Sequence, residues 1–180
     1  MIQITVPANE LWDADKQEFI QIKEQTLQLE HSLISLSKWE SNWCKPFLHT
    51  NNITREEELD YIKCMTLNPN VNPLIYSCLT DNNIEEIKNY INSPMTATFF
   101  SNKEKGKNSR EIITSELIYY WMVALNIPFE CQKWHLNRLI TLIRVCEAKN
   151  QPPKKRSKRE IINDYAALNE ARKKQLNTKG

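Results

Sequence analysis

The sequence predicts a mainly α-helical protein: a compact helical domain with a small N-terminal β-hairpin and a basic C-terminal helix. Over most of the 180 residues, apolar side chains recur every three or four positions, which is the spacing of an amphipathic helix. Clear alternation with a period of two is found near the N-terminus, where it indicates a half-buried strand. Basic residues are concentrated after residue 148, so the C-terminal helix is expected to be positively charged.

The β element is predicted from the first 22 residues. Ile2, Ile4 and Val6 alternate with polar residues and predict a short strand that ends at Pro7. The apolar stretch EFIQI, Glu18–Ile22, is the expected hairpin partner of this strand, across the polar residues 13–17.

The first helix is predicted within residues 32–47, and Pro46 marks its end. Its apolar positions lie three or four residues apart. They are Leu29, Leu33, Leu36, Trp39 and Trp43.

Two further helices are predicted before residue 94. The first begins at a capping box, in which the Thr54 hydroxyl accepts from the amide of Glu57 and the Glu57 carboxylate reaches back. The second covers residues 83–91 and ends at Ser93 and Pro94. The segment 74–79 between them is expected to be a short apolar turn or helix. The expected inward residues are Leu59, Ile62 and Met65 in the first helix, and Ile84, Ile87 and Ile91 in the second.

Residues 94–100, PMTATFF, are β-branched and aromatic and therefore strand-like. The next helix is expected to bury one stripe, formed by Ile113, Leu117, Tyr120, Trp121 and Ala124. It ends at Asn126, and Pro128 is placed to open the following helix at its first position. Because only about two residues join them, these helices are expected to form a tight helical hairpin. Leu136, Leu139, Ile140 and Ile143 are the predicted buried face of the second helix.

The charge distribution divides the chain in two. Residues 149–180 carry ten Lys or Arg and three Asp or Glu, a net charge of +7, so the first 148 residues carry −5 of the total of +2. We therefore predict a helical domain at 1–150, with its short β element, and a basic linker with a C-terminal helix at 151–180. A second capping box, from Ser157 to Glu160, precedes this last helix, which is weakly amphipathic.

The motifs of common enzymes are missing from the sequence. There are two glycines, Gly106 and Gly180, so no glycine-rich phosphate loop is present. The five cysteines form no CxxC and are expected to be reduced thiols. Cys131 and His135 are spaced i, i+4, as two metal ligands on a helix are, but two ligands do not make a site. We predict a packed helix here, and no catalytic, cofactor-binding or metal-ligating residues.

No apolar run reaches the ~20 residues that cross a bilayer, and the N-terminus does not read as a secretory signal. The sequence therefore predicts a cytoplasmic protein without a membrane partner.

Binding to another protein is the predicted activity. The candidate partner-binding residues are Trp39, Trp43, Lys154, Lys155, Arg156, Lys158 and Arg159.

Several blocks together carry a family resemblance. They are HSLISLSKWESNWCKPF, EELDYIKCMTLNPNVNPLIY, PMTATFF and REIITSELIYYWMVALNIPFECQKWHLNRLITLIRVC, followed by the basic region from KREI onward. In this order they resemble small tail proteins of long-tailed, non-contractile (siphovirus-type) bacteriophages, known as tail assembly chaperones. The resemblance implies a non-enzymatic protein that binds the tape-measure protein, helps to recruit tail-tube subunits and works in the cytoplasm of the infected bacterium. It transfers no individual functional residue, and a homo-oligomer is compatible with it.

Two alternatives remain open at this stage. One is a structural tail component that is retained in the virion. The other is a nucleic-acid-binding accessory protein that uses the basic arm to contact phosphates. We favour the second less, because the aromatic residues lie on helical stripes typical of a core.

Overall fold

The structure is a computed structural model that describes residues 1–13, 17–50, 52–98, 100, 111–150 and 158–176. The chain divides into two units, Met1–Glu147 and Ala148–Gly180, and we describe each by itself. Our division of the chain into a helical domain at 1–150 and a basic region at 151–180 stays a prediction. The predicted mainly α class, with a small N-terminal β element, is confirmed. Within the described ranges, no helix combines the length and apolarity needed to cross a membrane.

The larger unit contains four strands, five α-helices and three short 3₁₀ segments among its described residues. The strands are β1 Ile2–Val6, β2 Asn9–Asp13, β3 Glu18–Ile22 and β4 Gln25–Leu29. The helices are α1 Leu33–Trp43, α2 Arg55–Met65, α3 Asp81–Asn92, α4 Ser115–Ala124 and α5 Leu136–Asn150, the last extending three residues past the boundary. The 3₁₀ segments are Phe47–His49, Pro73–Cys78 and Phe129–Lys133.

The four strands form one long antiparallel hairpin. β1 pairs with β4, β2 pairs with β3, and the register runs without a bulge from the pair Ile2–Leu29 to the pair Asp13–Glu18. The ladder is interrupted at Pro7, which has no amide proton to donate. Our pairing of Glu18–Ile22 with the first strand is therefore wrong. Glu18–Ile22 pairs with β2, which is closer in sequence, and β4 takes the place beside β1.

The β1–β4 end of the hairpin is attached to the C-terminus of α2. The Glu30 amide donates to the Met65 carbonyl at 3.0 Å, and the Leu67 amide donates to the Gln28 carbonyl at 2.8 Å. Residues that alternate along these two strands are buried against α2 and α3: Ile4, Val6, Leu27 and Leu29. Leu29, which we assigned to the apolar stripe of the first helix, lies on β4 instead.

The helices before residue 93 begin where local chemistry predicts. Ser32 caps α1, and the capping box at Thr54 and Glu57 is confirmed. A further box, at Thr80 and Asn83, begins α3. α1 ends at Trp43, and the next residue, Cys44, caps it in the left-handed conformation with φ 51°. These caps satisfy amides that the first turn of a helix leaves without partners.

The apolar residues of this unit form two cores that share α1. The first core joins the hairpin, α2, Pro73–Cys78, α3 and the Trp39 side chain. The second joins Leu33 and Leu36 to α4, Phe129–Lys133 and α5. Leu36 and Trp39 are neighbours on the same face of α1, three residues apart, yet Leu36 packs in the second core and Trp39 in the first.

Three predictions in the second half of this unit are wrong. α4 buries Ile118 and Met122, whereas Tyr120 and Ala124 of the predicted stripe are exposed. α4 is apolar on every side, so periodicity alone did not identify its inner face. Pro128 has an extended conformation with ψ 138° and precedes the 3₁₀ segment, so α5 begins only at Leu136. The expected tight helical hairpin is therefore replaced by a longer connection.

The strand-like prediction for 94–100 is also wrong for the residues described there. Residues 94–98 and Phe100 are irregular, and Met95 has a positive φ of 46°, which an extended strand does not allow. This segment is rich in β-branched and aromatic residues, but among the described residues no strand pairs with it. The β-propensity of a residue reflects how well its side chain packs on a sheet, so it does not create a strand where no sheet is present.

The smaller unit contains α6, Lys158–Leu176. Ile162, Tyr165 and Leu168, three residues apart, are exposed along it. The predicted linker residues 151–157, with Ser157 of the second capping box, lie outside the described residues.

Candidate functional site

Cys131 and His135 do not share a helix. Cys131 lies in the 3₁₀ segment, and His135 lies in an extended stretch that forms a bridge with Ser32. The bridge brings His135 beside His31, with their ring centroids 5.1 Å apart in an edge-to-face arrangement. Both histidines are buried. The two histidines are more than 100 residues apart in the sequence, so the sequence alone did not predict their contact.

The hydrogen bonds of His135 define its tautomer. Its Nε2 lies 3.1 Å from the Tyr90 carbonyl, which can only accept, so Nε2 carries the proton. Its Nδ1 accepts from the Asn137 amide at 3.3 Å. The neutral ring therefore fits this environment, and burial lowers the pKa of His135 despite the opposing influence of the Tyr90 carbonyl and the Glu30 carboxylate.

His31 is held by a buried phenol. Its Nδ1 lies 2.6 Å from the Tyr61 hydroxyl, and its carbonyl accepts from the Leu136 amide at 2.7 Å. Burial, followed by the proximity of His135, lowers the pKa of His31 from 6.5 to about 3. Burial also raises the pKa of Tyr61, so the pair consists of a neutral imidazole and a neutral phenol at pH 7.

Glu30 completes the polar arrangement at the first core. It accepts from the Tyr90 hydroxyl at 2.6 Å and forms an ion pair with the amino group of Met1 at 2.7 Å. We call His31, His135, Tyr61, Tyr90 and Glu30 the polar seam. Every polar side-chain atom buried within the described residues has a hydrogen-bond partner, so the seam is satisfied as it stands.

The thiol of Cys131 is buried, and burial is the main cause of its raised pKa, which disfavours the reactive thiolate. Among the described residues, no group of three or more His, Cys, Asp or Glu side chains is arranged to hold a metal ion.

The two predicted tryptophans differ in accessibility. Trp39, a predicted partner-binding residue, is completely buried and its indole donates to the Glu57 carbonyl at 2.9 Å, so a partner cannot reach it in the folded unit. The apolar stripe of α1 that contains it is divided between the two cores, with Trp39 in the first and Leu33 and Leu36 in the second. Trp43 is half-buried and donates to the Asp60 carboxylate at 2.9 Å, so one edge of it remains available to a partner.

The basic candidates belong to the C-terminal region. Lys154, Lys155 and Arg156 lie outside the described residues, and Lys158 and Arg159 begin α6. Their role in binding a partner stays a prediction.

A second apolar surface lies on α4, and we did not predict it. Tyr120 and Val123 point away from the second core and are 65% and 60% exposed. Phe129, 54% exposed, extends this surface from the 3₁₀ segment, and its ring lies 6.4 Å from that of Tyr119. We define Tyr120, Val123, Ala124 and Phe129 as the α4 surface. The available signal was the run LIYYWMVA, which contains more apolar side chains than one buried stripe requires.

A groove of about 330 Å³ lies between α2 and α3. Its apolar lining includes Phe47, Ile53, Ile84 and Ile91, and an ion pair of 2.7 Å between Glu58 and Lys88 is found at its wall. The groove is thus lined by both apolar and charged side chains, whereas the α4 surface is formed by apolar ones.

Comparisons of the chain with protein-family models, with curated proteins and with solved structures found no match.

Proposed function

We propose that this protein is a non-enzymatic tail assembly chaperone of a siphovirus-type bacteriophage that binds an apolar helical segment of the tape-measure protein. The observation that carries the proposal is the α4 surface, on which Tyr120 and Val123 are exposed. The family resemblance of the sequence blocks supplies the identity of the partner.

The physical argument starts from the composition of α4. A helix that is apolar on all sides is normally buried on all sides. α4 buries Ile118 and Met122 in the second core and packs Tyr119 and Trp121 partly against it, yet its Tyr120 and Val123 side stays exposed. A contiguous exposed apolar surface is typical of a protein-binding site. Amphipathic helices bind such surfaces through side chains at i, i+3 and i+4. A tape-measure protein is expected to be a long apolar helix, so its chemistry matches this surface.

The basic C-terminal helix has a separate proposed role. The C-terminal 32 residues carry the net charge of +7, and Lys158 and Arg159 begin α6. We assign to this arm the recruitment of tail-tube subunits, with the protein working in the cytoplasm of the infected bacterium. Two binding regions on one chain raise the effective concentration of one partner near the other.

Co-expression with the tape-measure protein tests the proposal. The wild-type protein is expected to keep the tape-measure protein soluble and to copurify with it. The double variant Tyr120→Asp/Val123→Asp places two charges on the α4 surface and is expected to reduce recovery about tenfold or more. Leu67→Asp is the matched control, because Leu67 is 54% exposed on a different part of the unit. It should leave recovery unchanged.

The proposal fails if the tape-measure protein stays insoluble, or if the double variant and the control behave alike. Mass spectrometry of gradient-purified particles separates a chaperone from a structural component. Stoichiometric recovery of this chain from virions would favour the structural alternative.

A further inference from the structure

The polar seam lies where the two cores of the larger unit meet. Tyr61 and Tyr90 enter it from the first core, and His135 enters it from the stretch that precedes α5. His31 lies between β4 and α1, which is the helix that both cores share. The contact of the two imidazoles at 5.1 Å therefore joins one half of the unit to the other.

Three consecutive residues make most of the polar bonds across this junction. His135 donates to the Tyr90 carbonyl at 3.1 Å, and the Leu136 amide donates to the His31 carbonyl at 2.7 Å. The Asn137 side chain donates to the carbonyls of Ile91 and Ser93 at 3.0 and 2.8 Å. The start of α5 is thus attached to the end of α3 through a stretch centred on one histidine.

A proton on either ring disrupts this arrangement. On His135 the free position is Nδ1, and a proton there would face the Asn137 amide, which now donates to that nitrogen. On His31 the new charge would be buried beside His135. Two protonated rings at this separation would also repel each other with little water between them.

Other titratable and charged groups also face the pair. They are Glu30 beside β4, Tyr61 on α2, Tyr90 on α3 and the amino group of Met1. Burial raises the pKa of both tyrosines, so they stay neutral between pH 5 and 8. Glu30 favours a protonated His135 and the amino group opposes it, and burial outweighs both. Imidazole has an ordinary pKa near 6.5, so the two histidines bind protons in mildly acidic surroundings once the seam opens.

We propose that His31 and His135 form an acid-operated latch, in which proton uptake by the pair releases α4 and α5 from the first core before the first core unfolds. The first core keeps its apolar contacts when the seam opens, whereas α4 and α5 separate from Leu33 and Leu36 of α1, because the titrating imidazoles lie at the junction of the two cores. Opening at the seam alone is a local transition of the kind that hydrogen exchange resolves. The latch is a property of the fold and does not depend on which partner the α4 surface binds.

Hydrogen exchange of the full chain at pH 7.5 and pH 5.0, corrected for intrinsic rates, tests the latch. At pH 5.0 the amides of α4 and of α5 up to residue 147 are expected to lose about tenfold more protection than those of β1, β4 and α2, whose smaller loss follows the lower global stability at this pH. In the double variant His31→Asn/His135→Asn neither group of amides should respond to this pH change. Asparagine keeps a short polar side chain without a proton that titrates in this range. His49→Asn is the matched control, because His49 is exposed, and it should behave as the wild type does.

Three outcomes would overturn the latch: an equal loss of protection in both halves, full protection of α5 at pH 5.0, or an unchanged response in the double variant. If the double variant does not fold at pH 7.5, the comparison of the two halves in the wild type still tests the latch. Calorimetry in two buffers of different ionisation enthalpy counts the protons taken up during the acid transition. Uptake of about two protons supports the latch, and uptake of less than one contradicts it.

Discussion

Glu40 connects α1 to the elements that follow it. One carboxylate oxygen accepts from the Phe47 amide at 3.0 Å, and the other accepts from the Ser115 amide at 2.7 Å. Ser115 is the first residue of α4, so this carboxylate also lies at a helix N-terminus, where negative charge is favoured. Glu40 is 8% exposed, which limits competition from water.

Glu40→Ala is therefore expected to lower the free energy of unfolding by about 3 kcal/mol, because it leaves two enclosed amides without an acceptor. Glu85→Ala, at an exposed position of α3, should change it by less than about 0.5 kcal/mol. Urea denaturation of both variants at pH 7.5 measures the difference. Equal effects would show that Glu40 does not hold the two segments together.

The histidines predict how global stability depends on pH. Because the pKa of His31 falls from 6.5 in the unfolded chain to about 3 in the folded one, the unfolded state binds the extra proton. The contribution of His31 is therefore complete above pH 6.5 and is lost as the pH falls below it, by about 1.4 kcal/mol at pH 5.5. His135 acts in the same direction. The pKa of Glu57 is also lowered, but this affects the free energy of unfolding only near and below pH 4.5. Between pH 6.5 and 5.5 the change in stability is therefore assigned to the histidines.

Urea denaturation at pH 7.5 and 5.5 measures this loss. The His31→Asn variant should show a smaller decrease than the wild type between these two pH values, whereas His49→Asn should show the same decrease. A wild-type stability that is equal at both pH values would contradict the assignment of a neutral buried His31.

At the scale of single elements, the helix caps decide where α2 and α3 begin. The Thr54 hydroxyl accepts from the Glu57 amide at 3.3 Å, and the Thr54 amide donates to the Glu57 carboxylate at 2.8 Å. Thr54→Ala is expected to lower the free energy of unfolding by about 1 kcal/mol, and Thr80→Ala should have a similar effect at α3. Ser41→Ala, on the exposed face of α1, is the control and should be nearly neutral. Thermal denaturation of the three variants provides the comparison, and a loss as large for Ser41→Ala would contradict the role of the caps.

The elements that the sequence predicted well are those specified by neighbouring residues. α1 and α2 each have a cap and one apolar stripe, and both begin where these signals place them. α4 was located correctly, but Tyr120 and Ala124 of its predicted inner stripe are exposed, because the helix has apolar side chains all around its axis. The pairing of Glu18–Ile22 was missed because alternation identifies a strand but not its partner. The His31–His135 contact joins distant parts of the chain, and a single sequence carries no information on it.

At the scale of the whole molecule, stability and binding use different sides of the same elements. α4 contributes Ile118 and Met122 to the second core and presents Tyr120 and Val123 outward. The larger unit thus has an apolar surface that its own folding does not need. The wrong choice of α4 face in the sequence and the exposed apolar surface in the structure have the same origin, which is the apolar composition of this helix.

Hydrogen exchange of the copurified complex, compared with the free protein at pH 7.5, tests the proposed function most directly. We expect bound tape-measure protein to slow the exchange of amides in α4 and in Phe129–Lys133 by about tenfold or more, while β2 and β3 exchange as in the free protein. A complex in which α4 exchanges at the same rate as in the free chain, with protection appearing elsewhere, would contradict it.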